Sequence, residues 1–533
     1  MTWHPNAPEG NESYKVRFDV LEFCGKGGMD IGCGKRKVWP HLIGIDDRSD
    51  RIRYQLDVVC DAVIDASNVG KLYAEYSAPC VFSSHLLEHI EDHKRALRAW
   101  WKLVEIGGTL VLYLPHKDHY PRMGEIGTNP DHKHDFDNAD IEAAMREIAP
   151  DWSLIVDEVR TQDLEYSFLQ VYRKHSAGHG QKIELRTRPP KSAGVVRVGA
   201  YGDSLWGSSV ASHLKEQGYH VTMYTAFTGA DLLRFDPNID RIVELPDGVM
   251  DDDDLLGYYA HMGTKHERWI NLIGSVEDRL LVHPSSVMFY QPQQLRHKLM
   301  NSNYLEMIHD YADLPHNFRQ KFYPAPHERA WASAMLEKLR EHAPGPVVVL
   351  NPGGSGLVKW WPHSKRLMQL FADRGIYTVL LGKLYDDSLE PIEPWAHVVG
   401  MEWPVRMALT FAQLADAVVG TESLIANAVA FEPMLKVVTL SHSSNENLTK
   451  HWVNTAAIEA AAVPCHPCHR VHPNESYAFC SQDKTSGAAA CLAYASADMI
   501  AEFVIDQFEA SGLLPGRAGT LAAIPRSLLK EAA

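Results

Sequence analysis

The stretch Gly28–Asp46, GMDIGCGKRKVWPHLIGID, decides the fold of the first part of this chain. GMDIG reads as a short buried strand running into glycines, and LIGID as a second strand that ends on an acid. Gly32 and Gly34 of DIGCG permit positive φ and let the backbone approach a ligand without a Cβ clash. CVFSS and TLVLYLP read as two further strands. Between them lies DHKRALRAWWKLVE, where Leu97, Trp100, Trp101 and Val104 recur at helical spacing. Gly107 and Gly108 are expected to stop that helix. YSFLQVYRK supplies a closing edge or hairpin strand. Strand–helix alternation of this kind predicts a mostly parallel sheet with helices on both faces. Ligands in such sheets bind at the carboxyl ends of the strands.

The same alternation returns twice. After Lys174 it lapses into HSAGHGQKIELRTRPPKS, where Gly, Pro and isolated charges have the chemistry of a linker. It resumes at VVRVGAYGD, SVASHLKEQG, YHVTMYT and RIVEL, and MDDDD (Met250–Asp254) reads as a solvated loop. A third round starts near Pro344 with PVVVLNPGG, SKRLMQLFADRG and IYTVLLG. The expected divisions are 1–175, a linker 176–194, two facing Rossmann-like lobes 195–340 and 341–510, and a tail 511–533. The fold class is therefore α/β.

Composition bounds the function. A chain of 533 residues is too long for one core and suggests about three domains. The net charge of −16 argues against a broad grip on nucleic acid or anionic membrane. Small molecules or a neutral glycan are the expected partners. No secretory pattern opens the sequence and no apolar run is long enough for a bilayer span, so a cytoplasmic location with reduced thiols is expected.

In the first region, the acid precedes the glycines and Lys35-Arg36-Lys37 follows them. A nicotinamide site would show G-x-G-x-x-G instead. Asp46, sixteen positions after Asp30, can accept both hydroxyls of a ribose, and Asp61 in VVCDA can receive an adenine amino group. DIGCG, GIDD, VCDA, SSHLLEHIED and IGGTLVLYLPH, in this order over about 170 residues, resemble the class I S-adenosylmethionine-dependent methyltransferases. The resemblance implies a Rossmann-like methyltransferase domain in which Asp30, Gly32 and Gly34 line the methionine end of the cofactor. Asp46 would then hold the ribose and Asp61 the adenine, with His85 and Glu88 facing the transferred methyl and His85 the candidate catalytic residue. Asp131-His-Lys-His-Asp135 is expected to be a solvated or acceptor-contacting loop, not a metal centre.

Three features stand out after residue 195. Asp203 of GAYGD sits between a strand and a helix, where it could take a proton from an acceptor hydroxyl. Asn351-Pro-Gly-Gly-Ser-Gly356 with Lys359 offers exposed amides and a positive charge, which suit a diphosphate leaving group. Thr421, Glu422 and Ser423 open a helix, where hydroxyls and free amides make an anion site. GDSLW, LNPGGSGLVKWWP and AQLADAVVGTESLIANA resemble the heptosyltransferase-like glycosyltransferases, family 9 of the GT-B enzymes, over about 300 residues. The resemblance implies a two-lobed GT-B fold and an inverting transfer from a nucleotide-sugar, with no metal in the donor site. Asp203 would be the base, and Gly353, Gly354, Ser355, Lys359, Thr421, Glu422 and Ser423 would bind the donor. Thr421-Glu422-Ser423 departs from the Asp-Thr-Gly of many members, which leaves the sugar open.

Cys465, Cys468, Cys480 and Cys491 could hold structural zinc, although the second pair is not a C-x-x-C. The expectation from the whole chain is a bifunctional transferase acting on a glycan-type acceptor. Two rivals use the same residues: a pair of activities directed at a DNA base, or one half acting as a non-catalytic binding module.

Overall fold

The computed structural model describes residues 12–34, 36–46, 58–59, 77–162, 164–187, 189–246, 248–277, 279–386, 388–472 and 476–515. The α/β class is as expected. The chain forms two compact units, one of residues 1–192 with 244–268 and the other of 193–243 with 269–533.

Unit 1 is built on eight strands. They are β1 (Met29–Ile31), β2 (Ile43–Asp46), β3 (Val58–Val59), β4 (Ala78–Ser84), β5 (Val104–Pro115), β6 (Trp152–Arg160), β7 (Ser167–Lys174) and β8 (Gln181–Ile183). Their order is β3-β2-β1-β4-β5-β7-β6-β8, and β7 alone runs against its neighbours. The helix His93–Leu103 packs Ala96, Leu97, Trp100 and Trp101 on the sheet, and Asp92 caps it by accepting from the Arg95 amide at 3.0 Å. It stops at Leu103, because Val104 is already extended and begins β5. Gly107 (φ +87°) therefore bends the start of a strand and does not end the helix. The expected linker is also partly structured: β8 lies on the open edge of β6, satisfying backbone groups that would otherwise face water.

MDDDD is not a loop. Asp251 accepts from the Asp254 amide at 2.8 Å and starts the helix Asp252–Gly263, whose first turn gathers three acids where the helix dipole favours them. This helix, read from the sequence as part of the 195–340 lobe, belongs to unit 1. Asp254 pairs with Arg17 at 2.6 Å, and Tyr258 meets the Phe18 ring edge-on at 5.9 Å. A Cβ on Gly257 would come within 3.1 Å of Phe18. Asp19 receives His261 at 2.8 Å, Arg160 at 3.0 Å and Lys265 at 3.0 Å.

Burial alone would raise the Asp19 carboxyl, but the His261 hydrogen bond and the Arg160 and Lys265 charges hold it well below the usual carboxylate range. A depressed folded pKa contributes stability that is complete above the unfolded value of about 4 and is lost as pH falls below it. Asp19→Asn is therefore expected to destabilise unit 1 by about 2 kcal/mol at pH 7. Thermal scans should show that deficit shrinking as pH drops below about 4.

Unit 2 has two sheets. The first comprises β9 (Ser192–Val196), β10 (His220–Thr225), β11 (Arg241–Glu244) and β12 (Arg268–Asn271), in the order β11-β10-β9-β12. The second is all parallel: β13 (Val347–Asn351), β14 (Tyr377–Leu381), β15 (Ala396–Gly400), β16 (Ala417–Thr421), β17 (Leu435–Thr439) and β18 (Thr455–Ile458), in the order β15-β14-β13-β16-β17-β18. β13, β14, β16 and β17 are buried along their whole length, which explains their unbroken Val/Leu runs. A single apolar cluster runs from Val195, Leu205 and Met223 to Leu409, Ile425 and Leu440, so the two lobes share one core.

Among the described residues no helix is long and apolar enough to cross a membrane.

Candidate functional site

In unit 1 the glycine turn lies at the carboxyl ends of β1 and β2. Gly32 (φ +76°) and Gly34 (φ +57°) use the conformation that glycine tolerates best. The Gly34 amide donates to Asp46 Oδ2 at 2.9 Å, and the Val38 amide donates to Asp30 Oδ2 at 2.7 Å. The structure thus brings Asp30, Gly32, Gly34 and Asp46 together, with each acid bracing one side of the turn. Asp30 is buried, and that burial pushes its carboxyl up to about 7. Asp46 is buried as well, at the end of β2. Asp61 lies outside the described residues.

His85 follows β4 with φ +48°, strained for a non-glycine residue. Its Nε2 is 2.9 Å from Ser167 Oγ. Burial pushes the imidazole down to about 3, so it is neutral. One turn later Glu88 is fully buried, and burial pushes its carboxyl up to about 8. The expected loop at Asp131–Asp135 is not simply solvated. The Lys133 and His134 amides both donate to the Glu88 carbonyl, at 2.7 and 3.2 Å.

In unit 2, Gly199 leads from β9 into the helix Tyr201–Ser208, and a Cβ there would strike Asp203 Oδ2 at 2.6 Å. Asp203 is 24% exposed. Oδ2 accepts from the Ala200 amide at 2.9 Å, and Oδ1 is 3.2 Å from Arg197 Nη2. Arg197 is itself fixed by Glu277, at 2.6 and 3.1 Å. Burial raises the Asp203 carboxyl; Arg197 opposes this and Glu277 supports it. Lys359 also acts on Asp203 from the other lobe, and Trp206 Nε1 donates to Asn427 Oδ1 at 3.0 Å, tying the two lobes together beside the site.

The donor residues divide. Lys359 lies over Gly354, where a Cβ would come within 2.6 Å of its side chain, and Ser355 is exposed. Gly353 instead makes room for the Lys383 carbonyl, 2.2 Å from its would-be Cβ, so its glycine answers a chain crossing and not an approaching phosphate. Thr421 and Glu422 are buried. Glu422 Oε1 accepts from the Ser441 and His442 amides at 2.8 and 3.0 Å and from the Ser441 hydroxyl. Burial opposes its ionisation, yet His442, Lys359 and the Ser441 and Ser443 hydroxyls hold it low. Glu422 thus positions the loop after β17, and a direct donor contact is not what this geometry shows. Ser423 caps the five-residue helix Leu424–Ala428 by accepting from the Ala426 amide at 3.4 Å.

The four late cysteines do come together. Cys465, Cys468, Cys480 and Cys491 line one cavity with His442, His466 and His472. All four are free thiols, and Cys468 Sγ lies 3.7 Å from His472 Nε2. Burial pushes Cys468 up to about 12 and Cys480 up to about 11. The chain returns Cys480 and Cys491 to the Cys465-His-Pro-Cys468 turn despite the uneven spacing of the second pair.

No family model matches this sequence, and no curated protein matches it. Among solved structures, the chain is similar to a family 9 glycosyl transferase from Veillonella parvula, at 13% identity over 61% of this chain and 97% of that one, with a TM-score of 0.42. The ADP-heptose heptosyltransferase II of E. coli gives 14% identity over 60% and 99%, with a TM-score of 0.43. A SAM-dependent methyltransferase from Archaeoglobus fulgidus gives 13% identity over 30% and 92%, with a TM-score of 0.24. The solved proteins that this chain is similar to are thus of two kinds, family 9 heptosyltransferases over 61% of its length and SAM-dependent methyltransferases over 30%.

Proposed function

We propose that the chain joins two transferases. Unit 1 would bind S-adenosylmethionine and pass its methyl group to an acceptor hydroxyl. Unit 2 would transfer a sugar, with inversion, from a nucleotide-sugar to a glycan-type acceptor.

The observation that carries this reading is the placing of Asp203, held by the Ala200 amide and Arg197, beside the Trp206–Asn427 bond that joins the lobes of unit 2. An acid after β9 and a cation after β13 are what a direct displacement needs on its two sides. Asp203 takes the proton of the acceptor hydroxyl as its oxygen attacks the anomeric carbon. The sugar–phosphate bond breaks, and the charge on the leaving diphosphate falls to Lys359 and the amides near Ser355 and Gly354. Arg197 holds Asp203 Oδ1, which leaves the second oxygen, already aligned by the Ala200 amide, to face the acceptor. The buried Glu422 keeps the loop after β17 in place.

In unit 1, Asp46 would receive the ribose hydroxyls, the Gly32–Gly34 backbone would border the methionine end, and Asp61 would receive the adenine. His85, held neutral, would stand beside the transferred methyl. A structural zinc ion on the four thiols would draw off their protons. Such a site would brace the His442 layer behind Glu422, and unpaired thiols suit the reducing cytoplasm expected from the sequence.

Calorimetric titration tests the methyl donor. Wild type is expected to bind S-adenosylmethionine. Asp46→Ala should weaken it by about 10–100-fold, the value of one charged hydrogen-bonding group. A wild type that binds none would remove unit 1 from the proposal.

A further inference from the structure

Behind His85 the structure holds a cluster that the steps above do not use. Glu88 lies in the turn Leu87–His89 just past β4, wholly buried, and neither carboxylate oxygen has a hydrogen-bond partner. An ionisable group in that position needs a compensating charge or a proton. Three imidazoles converge on the same oxygen. Glu88 Oε1 is 3.9 Å from His85 Nδ1, 3.8 Å from His89 Nε2 and 4.0 Å from His132 Nε2. The ligand atoms of Glu88, His89 and His132 all lie within 4.8 Å of one another.

We propose that Glu88, His89 and His132, with His85 as a fourth donor, hold a divalent cation in unit 1. A metal at about 2.1 Å from each nitrogen and oxygen sets neighbouring ligands about 3–3.5 Å apart, so the contacts of 3.8–4.0 Å to Glu88 Oε1 close by about 1 Å or less and the widest separation in the cluster by up to about 1.8 Å. Imidazole and carboxylate donors without a thiolate select the manganese, iron, cobalt and zinc class.

The surroundings are those of a ligand set. His85 presents Nδ1 to Glu88 while Nε2 is engaged by Ser167 Oγ at 2.9 Å. A ligating histidine oriented through its other nitrogen follows the usual pattern. His132 is delivered from outside the turn by the two amide bonds to the Glu88 carbonyl, and its ring meets that of His89 edge-on, centroids 4.7 Å apart. Its neighbour His134 points elsewhere, with Nε2 at 3.1 and 3.0 Å from the Ile90 and Glu91 carbonyls. His132 and His134 of the tract therefore have different tasks.

The cluster also adjoins the glycine turn. Leu86, between His85 and the ligand turn, fills the space a Cβ on Gly32 would occupy, 2.4 Å away. A cation here sits at the carboxyl end of β4, beside the strand whose turn is proposed to hold the methyl donor. The role we assign it rests on that reading: its open positions take the oxygen of a hydroxyl-bearing acceptor and favour loss of the hydroxyl proton to solvent. The acceptor oxygen then bonds to the methyl carbon as the carbon–sulfur bond breaks, and sulfur keeps the electron pair as a neutral thioether.

Mn²⁺ is the probe, because the cysteine cavity of unit 2 is a poor site for it. Titration of the full chain, followed by electron paramagnetic resonance of the free ion, should show one bound Mn²⁺ per chain. Glu88→Gln and His132→Ala should each weaken binding by at least about tenfold, and His134→Ala should leave it within about twofold. S-adenosylmethionine titrated separately into each variant reports that unit 1 is intact. The proposal is overturned if wild type binds no Mn²⁺, or if His134→Ala loses binding as fully as His132→Ala. Binding of S-adenosylmethionine without Mn²⁺ sinks the cation alone; binding of Mn²⁺ without S-adenosylmethionine sinks the methyl-donor reading instead.

Discussion

Asp203→Asn is expected to lower sugar transfer by about 10²–10⁴-fold, the usual contribution of a positioned general base, with nucleotide-sugar affinity nearly unchanged. The amide is close to the carboxylate in shape, and its oxygen can still accept from Ala200, so the helix start should survive. What disappears is the basic oxygen. Steady-state kinetics and donor titration on the same protein check this, and a variant that keeps most of its turnover would dismiss Asp203 as base. The Arg197–Glu277 pair adds a signature. Glu277 raises the Asp203 carboxyl, so Glu277→Gln should lower it and leave Arg197 to Asp203 alone. A base must be deprotonated to act; the acidic limb of the pH profile of kcat/KM should therefore move to lower pH in Glu277→Gln.

The largest stability effect is expected at Arg406. Its guanidinium grips Glu328 through two bonds of 2.7 and 2.8 Å, and donates further to the Asp231, Leu232 and Tyr323 carbonyls at 3.0, 2.7 and 2.9 Å. Both side chains of the pair are buried. Arg406→Met leaves an unpaired carboxylate and three carbonyls without their donor, which should cost unit 2 about 3–5 kcal/mol. Replacing both, Arg406→Met with Glu328→Met, should recover much of the loss, since an apolar pair of similar volume needs no compensation. Urea unfolding of the two variants separates these outcomes. Equal losses would mean that the carbonyl bonds, and not the ion pair, dominate.

The sequence was most legible where one local rule settled the structure. The glycine turn after β1, the acid closing β2 and the amphipathic run Leu97–Trp101 each announce themselves within a few residues, and the structure has them. Elements whose state depends on distant partners were harder to read. Met250–Asp254 looks like a solvated acidic run because nothing nearby shows that Arg17 waits for Asp254. Glu422 looks like a donor contact until the β17 loop folds back and presents Ser441 and His442. The Glu88 cluster was half visible in His-x-x-Glu-His, but His132 arrives from more than forty residues away, along a tract that reads as a solvated or acceptor-contacting loop. Sequence spacing measures distance along the chain, and these sites are set by distance through space.

The helix Asp252–Gly263 has one more implication. A gene cut at Ser192 would seem to release two ready-made modules, yet the first piece would lack Tyr258 against Phe18, and Asp19 would lose two of its three partners, His261 and Lys265. The second piece would carry that helix with its apolar face unmatched. A cut at the obvious joint therefore damages both products. A clean separation would have to move residues 244–268 along with the N-terminal piece.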